Sequence, residues 1–258
     1  MTSSIIQQLV LGVYRQPLVT RLLRTRAGSS LFVACYDIYK DLFEVPGNRA
    51  LAARIAPGSW AIDVGANIGF FTARFARWVT AGGRVIAIEP DSENLALLKR
   101  RLSTSNLSNV DVHQAVAMER SGTAHLQRNP DHPGDHRIGN AGEAVAAVTI
   151  DDLVEQAGNP RIGFVKIDTQ GSERRVLAGA LKTLERCRPN LFVEVDDRAL
   201  RENGTNAAEL VRELDNLGYS FFRISRKGSF MPMESEMIDE LLASDKRGYL
   251  DLLCIQAP

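Results

Sequence analysis

"AIDVGANIGFF", residues 61–71, is the stretch on which the reading of this chain turns. An apolar run ends in an acid, Asp63, and two glycines, Gly65 and Gly69, then flank Asn67. A strand that stops at an acid and turns through glycines into a helix is the start of a mononucleotide-type binding loop, but G-x-x-x-G is not the dinucleotide spacing. A second β-branched run, "RVIAIE" (84–89), also closes on an acid, Glu89, twenty positions after Gly69. An acid at about that distance is placed to accept hydrogen bonds from ribose hydroxyls.

The loop argues against a nicotinamide dinucleotide. Pyrophosphate needs several close backbone N–H groups at a helix N-terminus, hence G-x-G-x-x-G. Here Asn67 replaces the middle glycine, and no Lys-Ser/Thr pair follows as a phosphate loop requires. A nucleoside carrying an amino-acid tail fits better, with its ammonium group on Asp63 and its ribose on Glu89. That ligand is S-adenosylmethionine. The plainer alternative is a pair of glycines that only permits a tight turn.

Outward from this stretch, strands and helices alternate. Strands are expected at 60–64, 84–89, 110–116, 163–168, 190–196, 219–224 and 249–257. Helices are expected at 68–80, after an Asp91 cap at 92–102, at 151–158, at 172–187 as one piece, and at 207–218. This pattern predicts a Rossmann-like, doubly wound, mostly parallel sheet with helices on both faces. Ligands in such sheets bind at the carboxyl ends of the strands, near the switch in strand order. Residues 121–150 read as a hairpin-like strand and then a long Pro-, Gly- and His-bearing loop of the kind that often carries function.

Composition narrows the partners. The chain has 258 residues, enough for one large α/β domain with attachments. Lys+Arg and Asp+Glu are both 31, so the basic excess of a polyanion binder is missing and nucleic acid is not expected as a partner. Cys35, Cys187 and Cys254 share no C-x-x-C spacing, which predicts neither a disulfide framework nor a zinc site and suits a reducing cytoplasm. No apolar run has the length of a membrane span, and the N-terminus lacks the order of a signal peptide. Residues 1–36 carry Arg15, Arg21, Arg24 and Arg26 and no acid before Asp37. They read as two short helices interrupted at Pro17, forming a lid on the core, or else a basic amphipathic surface for peripheral contact with anionic lipid. Residues 1–56 are thus expected to be a helical extension and 57–258 the main domain.

Further segments make the chain resemble a known family, the FkbM-type methyltransferases of the class I S-adenosylmethionine-dependent fold. They are "DVGANIGFFT" (63–72), "IEP" (88–90), "VKIDTQGSERRVLAGA" (165–180) and "RPNLFVEVD" (188–196), with "TIDDL" (149–153) and "GDHRI" (134–138) as further matches. The resemblance implies a seven-stranded sheet whose last strand is antiparallel. It implies methyl transfer to a hydroxyl of a sugar, glycolipid or natural-product small molecule. By position, Asp63, Gly65, Asn67, Ile68 and Gly69 form the cofactor loop, Glu89 holds the ribose, and Ala115 and Val116 border the adenine. Gln170 departs from the D-x-E-G form of the later motif common in the family, which removes one acid.

Methyl transfer from a sulfonium carries its own leaving group, so the enzyme must align an acceptor and remove its proton. Asp168 ends the fourth strand beside the cofactor, Glu194 and Asp196 end its neighbour, and His136 is a near-neutral base in the loop. These predict Asp168, Glu194 and His136 as catalytic, with Asp168 also touching the cofactor. Each has a structural alternative: Asp168 as a helix cap, Glu194 paired with Lys166, His136 facing solvent. His132 is a weaker candidate, and His113 and His125 read as ordinary strand residues. Asp168, Glu194 and Asp196 have oxygens that suit Mg²⁺, but no ligand spacing demands a metal and none is assigned. The rival functions are N-methylation of an amide or amine, as in a peptide, binding of the cofactor without turnover, and nicotinamide-dependent oxidoreduction.

Overall fold

The structure, a computed structural model, describes residues 26–80, 82–129, 136–139, 141–244 and 248–256. The two short helices expected over 5–26 lie, but for Arg26, outside the described residues, as do His132 and the first two residues of "GDHRI". The described chain opens with α1 (Arg26–Tyr39), a π-helical turn (Lys40–Glu44) and a 3₁₀ helix (Asn48–Arg54). Next in order are β1 (Trp60–Val64), α2 (Phe70–Trp78), β2 (Val85–Ile88), α3 (Ser92–Thr104) and β3 (Val110–His113). Asp91 caps α3 as its sequence suggests, Oδ1 accepting from the N–H groups of Glu93 and Asn94 at 2.8 and 2.9 Å.

The strand expected across 110–116 is divided. It stops at His113, and β4 (Val116–Ala117) joins a second, four-stranded sheet with β5 (Gly122–Gln127), β6 (Arg137–Gly139) and β7 (Glu143–Val148), in the order β4-β7-β5-β6. Beyond it come α4 (Ile150–Gln156), β8 (Ile162–Ile167), α5 (Glu173–Ala178), α6 (Leu181–Cys187) and β9 (Asn190–Asp196). The single helix expected over 172–187 is therefore two. They part at Gly179, where a Cβ would lie 2.0 Å from the Met118 carbonyl oxygen, so the backbone after β4 passes directly over the break. The chain ends with α7 (Asp197–Glu202), α8 (Ala207–Asn216), β10 (Tyr219–Ile224), β11 (Phe230–Met233), α9 (Ser235–Ser244) and β12 (Tyr249–Gln256).

The main sheet runs β11-β10-β12-β9-β8-β1-β2-β3. Pairs from β3 through β9 are parallel, while β12 is antiparallel to both β9 and β10. The seven strands implied by the family resemblance are all present, and β11 adds an eighth at the edge by pairing antiparallel with β10. The order reverses between β1 and β8, which places the ligand crevice above their carboxyl ends.

Strand periodicity decides which side chains meet there. Ile62, Val64, Val165, Ile167, Leu191 and Val193 fill one face of the sheet. Ala61, Phe164, Phe192 and Leu253 fill the other, against Phe70, Phe71 and Phe75 of α2 and against Leu51 of the 3₁₀ helix and Ile55 at its end. Burial of each such aromatic contributes about 1.5–3 kcal/mol. Two residues further along β1, β8, β9 and β12, or two back in the antiparallel case, the same face must carry Asp63, Lys166, Glu194 and Asp251. An apolar face thus becomes a charged one at the carboxyl end. Among the described residues, no helix is long and apolar enough to cross a membrane.

Candidate active site

The turn after β1 is built from left-handed residues: Gly65 (φ 73°), Asn67 (φ 49°) and Gly69 (φ 82°). A Cβ on Gly65 would sit 1.8 Å from the Asp168 carbonyl oxygen, so only glycine lets the loop lie against the end of β8. All five backbone N–H groups of the loop already donate. Gly65 and Ala66 bond the Ile88 carbonyl at 3.1 and 3.0 Å, and Gly69 bonds that of Ala66 at 2.9 Å. Asn67 N–H reaches Glu89 Oε2 at 2.8 Å, and Ile68 N–H reaches the Asn67 side-chain oxygen at 2.7 Å. A pyrophosphate has no donor left here, whereas acceptors remain.

The first acceptor is Asp63, which is wholly buried. Its Oδ2 takes the Thr72 hydroxyl at 2.5 Å, while Oδ1 has no hydrogen-bond partner and stands 3.6 Å from the Lys166 ammonium. Burial raises its carboxyl above the ordinary value against the opposing pull of Lys166 and Thr72. The second is Glu89, also buried, with Oε1 accepting from the Asp91 N–H at 3.0 Å and from the Asn94 amide at 3.3 Å. Burial pushes its pKa up to about 7 despite these donors. Ile68 is buried, and its carbonyl accepts from Arg101 at 3.2 Å. Ala115 and Val116 are buried as well, but they lie past the end of β3, where the chain crosses into the second sheet.

On the other side of the glycine loop, Lys166 Nζ stands 3.1 Å from Asp168 Oδ2. Gln170, held at φ 54°, points its amide nitrogen between two acids, 3.5 Å from Asp168 Oδ1 and 2.9 Å from Glu194 Oε2. The two carboxyls are unequal. Burial opposes charge on Asp168, but the Lys166 and Lys40 ammoniums hold it below the usual carboxylate range. Burial, then the charges of Asp168, Asp251 and Glu173, raise Glu194 well above its ordinary value. Asp168 is thus biased toward the ionised form and Glu194 toward the protonated one, an asymmetry of the kind by which paired carboxyls divide acid and base roles.

The structural alternatives for these acids are not what the fold adopts. Asp168 does not cap α5. Ser172 is its N-cap, and Glu173 Oε1 fastens the 168–171 turn by accepting from the Thr169 N–H and hydroxyl and from the Gly171 N–H, at 3.0, 3.0 and 3.1 Å. The Lys166 ammonium is paired with Asp63 and Asp168, while Glu194 bonds Gln170. Asp196 caps α7 through the Ala199 N–H at 3.0 Å. Among the described residues, no group of three or more His, Cys, Asp or Glu side chains is arranged to hold a metal ion.

His136 is placed elsewhere. Its Nε2 is 3.5 Å from Asp91 Oδ2, and its Nδ1 accepts from the Asn129 N–H at 3.1 Å. The ring is largely covered, with 12% of the side chain exposed, so it does not face solvent. The structure brings it to the Glu89–Asp91 side of the crevice and not to Asp168 and Glu194. The sequence offered Lys166 only as a partner for Glu194 and Gln170 only as a lost acid, and Glu173 and Asp251 were passed over. Lys166 and Asp168 were legible as a period-two pair on one strand, but the Asp251 partner on β12 emerges only from the register Asp251↔Glu194.

Known proteins bear on this geometry. A family described as "Methyltransferase FkbM domain" matches residues 63–221, more than half of the chain, beginning at the buried Asp63 and running past Asp168 and Glu194. The 31-O-demethyl-FK506 methyltransferase FkbM of Streptomyces tacrolimicus is 26% identical over 204 residues, covering 66% of this chain and 76% of that protein. The crystal structure of a methyltransferase FkbM from Methylobacillus flagellatus aligns over 96% of this chain with 20% identity and a TM-score of 0.48, and this chain spans 57% of that protein's length. A SAM-dependent methyltransferase from Aquifex aeolicus aligns over 83% of this chain and 90% of its own, at 15% identity and a TM-score of 0.44. The extent of the family match establishes that the chain belongs to the FkbM methyltransferase family.

Proposed function

We propose that the chain binds S-adenosylmethionine at the carboxyl ends of β1 and β2 and methylates a hydroxyl group of a small polyhydroxylated acceptor. The observation that carries this reading is the glycine loop with every N–H satisfied between two buried acids, which suits a ligand that donates hydrogen bonds rather than a phosphate. Asp63 Oδ1 is a buried acceptor with no hydrogen-bond partner, its ion-pair partner Lys166 standing 3.6 Å away, and so has a lone pair to offer an ammonium group. Glu89 is placed for ribose hydroxyls, and Ala115 and Val116 offer apolar surface for a base. The Streptomyces tacrolimicus relative is named for an O-methylation, which favours oxygen over nitrogen as the acceptor atom.

When bound, S-adenosylmethionine supplies an electrophilic methyl together with its own leaving group. The chain's part is orientation and proton removal. Gly65 lets the cofactor loop meet Asp168 at backbone contact, so the cofactor side and the acid pair share one crevice. Asp168, kept ionised, accepts the hydroxyl's hydrogen bond and aligns the oxygen. As that oxygen gains the methyl its proton becomes strongly acidic, and a carboxylate of low pKa suffices to receive it. Glu194, which burial and the neighbouring acids push toward protonation, is held by Gln170 beside Asp168, where it can face a neighbouring oxygen of the acceptor. His136 has no part in this step and helps close the nucleoside side through Asp91. The test is radiolabelled methyl transfer from S-adenosylmethionine into a panel of hydroxylated and amine acceptors, with mass spectrometry of the product. Product methylated on oxygen supports the reading, and product methylated only on nitrogen overturns it.

A further inference from the structure

The acid pair is faced by a residue from outside the matched family segment. A small cavity of about 10 Å³, room for roughly one water, lies between Asp168, Glu194 and Asp251 on the sheet and Lys40 and Val45 from the N-terminal extension, with Phe71 at its side. The family match begins at Asp63, so Lys40 and Val45 belong to the segment before it.

The extension is fixed in this position by charge pairs on either side of Lys40. Asp37, one turn earlier, bonds Arg101, whose other nitrogen donates to the Ile68 carbonyl of the glycine loop at 3.2 Å. Asp41, the next residue, takes both oxygens to Arg74 of α2 at 3.0 and 2.9 Å, and the same guanidinium lies 3.7 Å over the Phe70 ring. Tyr36 packs edge-on against Phe70. Between these anchors the helix widens into the π turn Lys40–Glu44, a form of helix often found at functional sites. The anchors explain why Lys40 is presented to the cavity. They also join the extension to the cofactor loop.

We propose that the extension completes the active site, with Lys40 as a positioning residue that faces the Asp168–Glu194 pair across the cavity. This rests on reading that pair as the acceptor-side acids. The charged and titratable groups around the pair are Asp63 on β1, Lys166 on β8, Glu173 on α5, Asp251 and Tyr249 on β12, and Lys40 itself. Asp251 and Glu173 push Glu194 toward protonation, Lys166 is already shared between Asp63 and Asp168, and the Lys40 charge favours the ionised form of both Asp168 and Glu194. Lys40 thereby keeps Asp168 ready to receive the acceptor's proton.

The test needs no acceptor. Carboxyl ¹³C NMR titrations, with resonances assigned through Asp168→Asn and Glu194→Gln, are recorded on the full chain carrying Lys40→Met, Lys40→Gln or Lys40→Arg. The expected result is that the Asp168 and Glu194 midpoints move to higher pH in the Met and Gln variants and return toward wild type in the Arg variant. Midpoints that coincide with wild type in both neutral variants would overturn the proposal, and using two neutral variants guards against one failing to fold. Calorimetry with S-adenosylhomocysteine on the same proteins should give affinities within about twofold of wild type, because Lys40 lies on the acid-pair side. Loss of that binding in every version, wild type included, would count against the proposed cofactor, while the titrations still decide the role of Lys40.

Discussion

Replacing Glu89 by Gln exchanges one carboxylate oxygen for an amide nitrogen, and the donors around that carboxylate determine the cost. It accepts on both oxygens, from the Asn67 N–H on one and from the Asp91 N–H and the Asn94 amide on the other. A glutamine can offer its oxygen to only one side, so its NH₂ must face a donor on the other. Leaving a buried donor unmatched costs about 1–3 kcal/mol, roughly 2–12 °C in Tm for a chain of this size. Ribose hydroxyls would lose a charged acceptor, about 1.5–3 kcal/mol, which weakens cofactor binding by about 10- to 150-fold. A pH signature accompanies this. Ribose donors favour the ionised carboxyl, and with a pKa of about 7 its ionised fraction falls about tenfold between pH 8 and pH 6. Wild-type affinity for S-adenosylhomocysteine should therefore drop by about tenfold over that range, and the Glu89→Gln variant should show no such slope. Calorimetry at pH 6, 7 and 8 measures both. An unchanged affinity in the variant, or a flat wild-type profile, would refute the placement of Glu89 against the ribose.

Other changes separate the remaining roles. Asp168→Asn should lower turnover at saturating acceptor by about 10²–10⁴ while cofactor affinity stays near wild type, read by steady-state kinetics beside calorimetry. His136→Ala should keep saturated turnover within a few-fold, because the ring is bound to Asp91 and Asn129 and not to the acid pair; a loss as large as that of Asp168→Asn would make it the base. Lys166→Met strands the buried Asp63 and should cost about 3–5 kcal/mol in denaturant unfolding. Gly65→Ala forces a side chain into φ 73° and against the Asp168 carbonyl; the left-handed backbone alone costs about 1–2 kcal/mol, so Tm should fall by at least a few degrees.

What the sequence discloses and what it hides divide along physical lines. The strand–glycine–helix opening, the Asp91 cap and the strand at 190–196 are written locally, in β-branched runs, a capping side chain and left-handed glycines, and each stands where the residues place it. The break at Gly179 is not local, because it answers to the backbone of Met118 some sixty residues earlier. Likewise "EAVAAV" carries too little β-branched bulk to announce β7, which is a strand through its pairing with β5. At the site, Glu89, Asp168 and Glu194 are legible as acids at strand ends. Their surroundings are not: Lys166 between Asp63 and Asp168, Gln170 bridging Asp168 and Glu194, and Lys40 arriving from the extension are products of register and packing. His136 illustrates the limit, since a near-neutral base in a long loop has no direction until β6 fixes it beside Asp91.

On the proposed function, the crevice above β1 and β2 takes a hydrogen-bond-donating nucleoside and not a dinucleotide. Titration calorimetry of the purified chain with S-adenosylmethionine, S-adenosylhomocysteine, NAD and NADP tests it most directly. The expected result is saturable one-to-one binding of the first two and no heat of binding for NAD or NADP. Binding of NAD or NADP without binding of S-adenosylmethionine would contradict it.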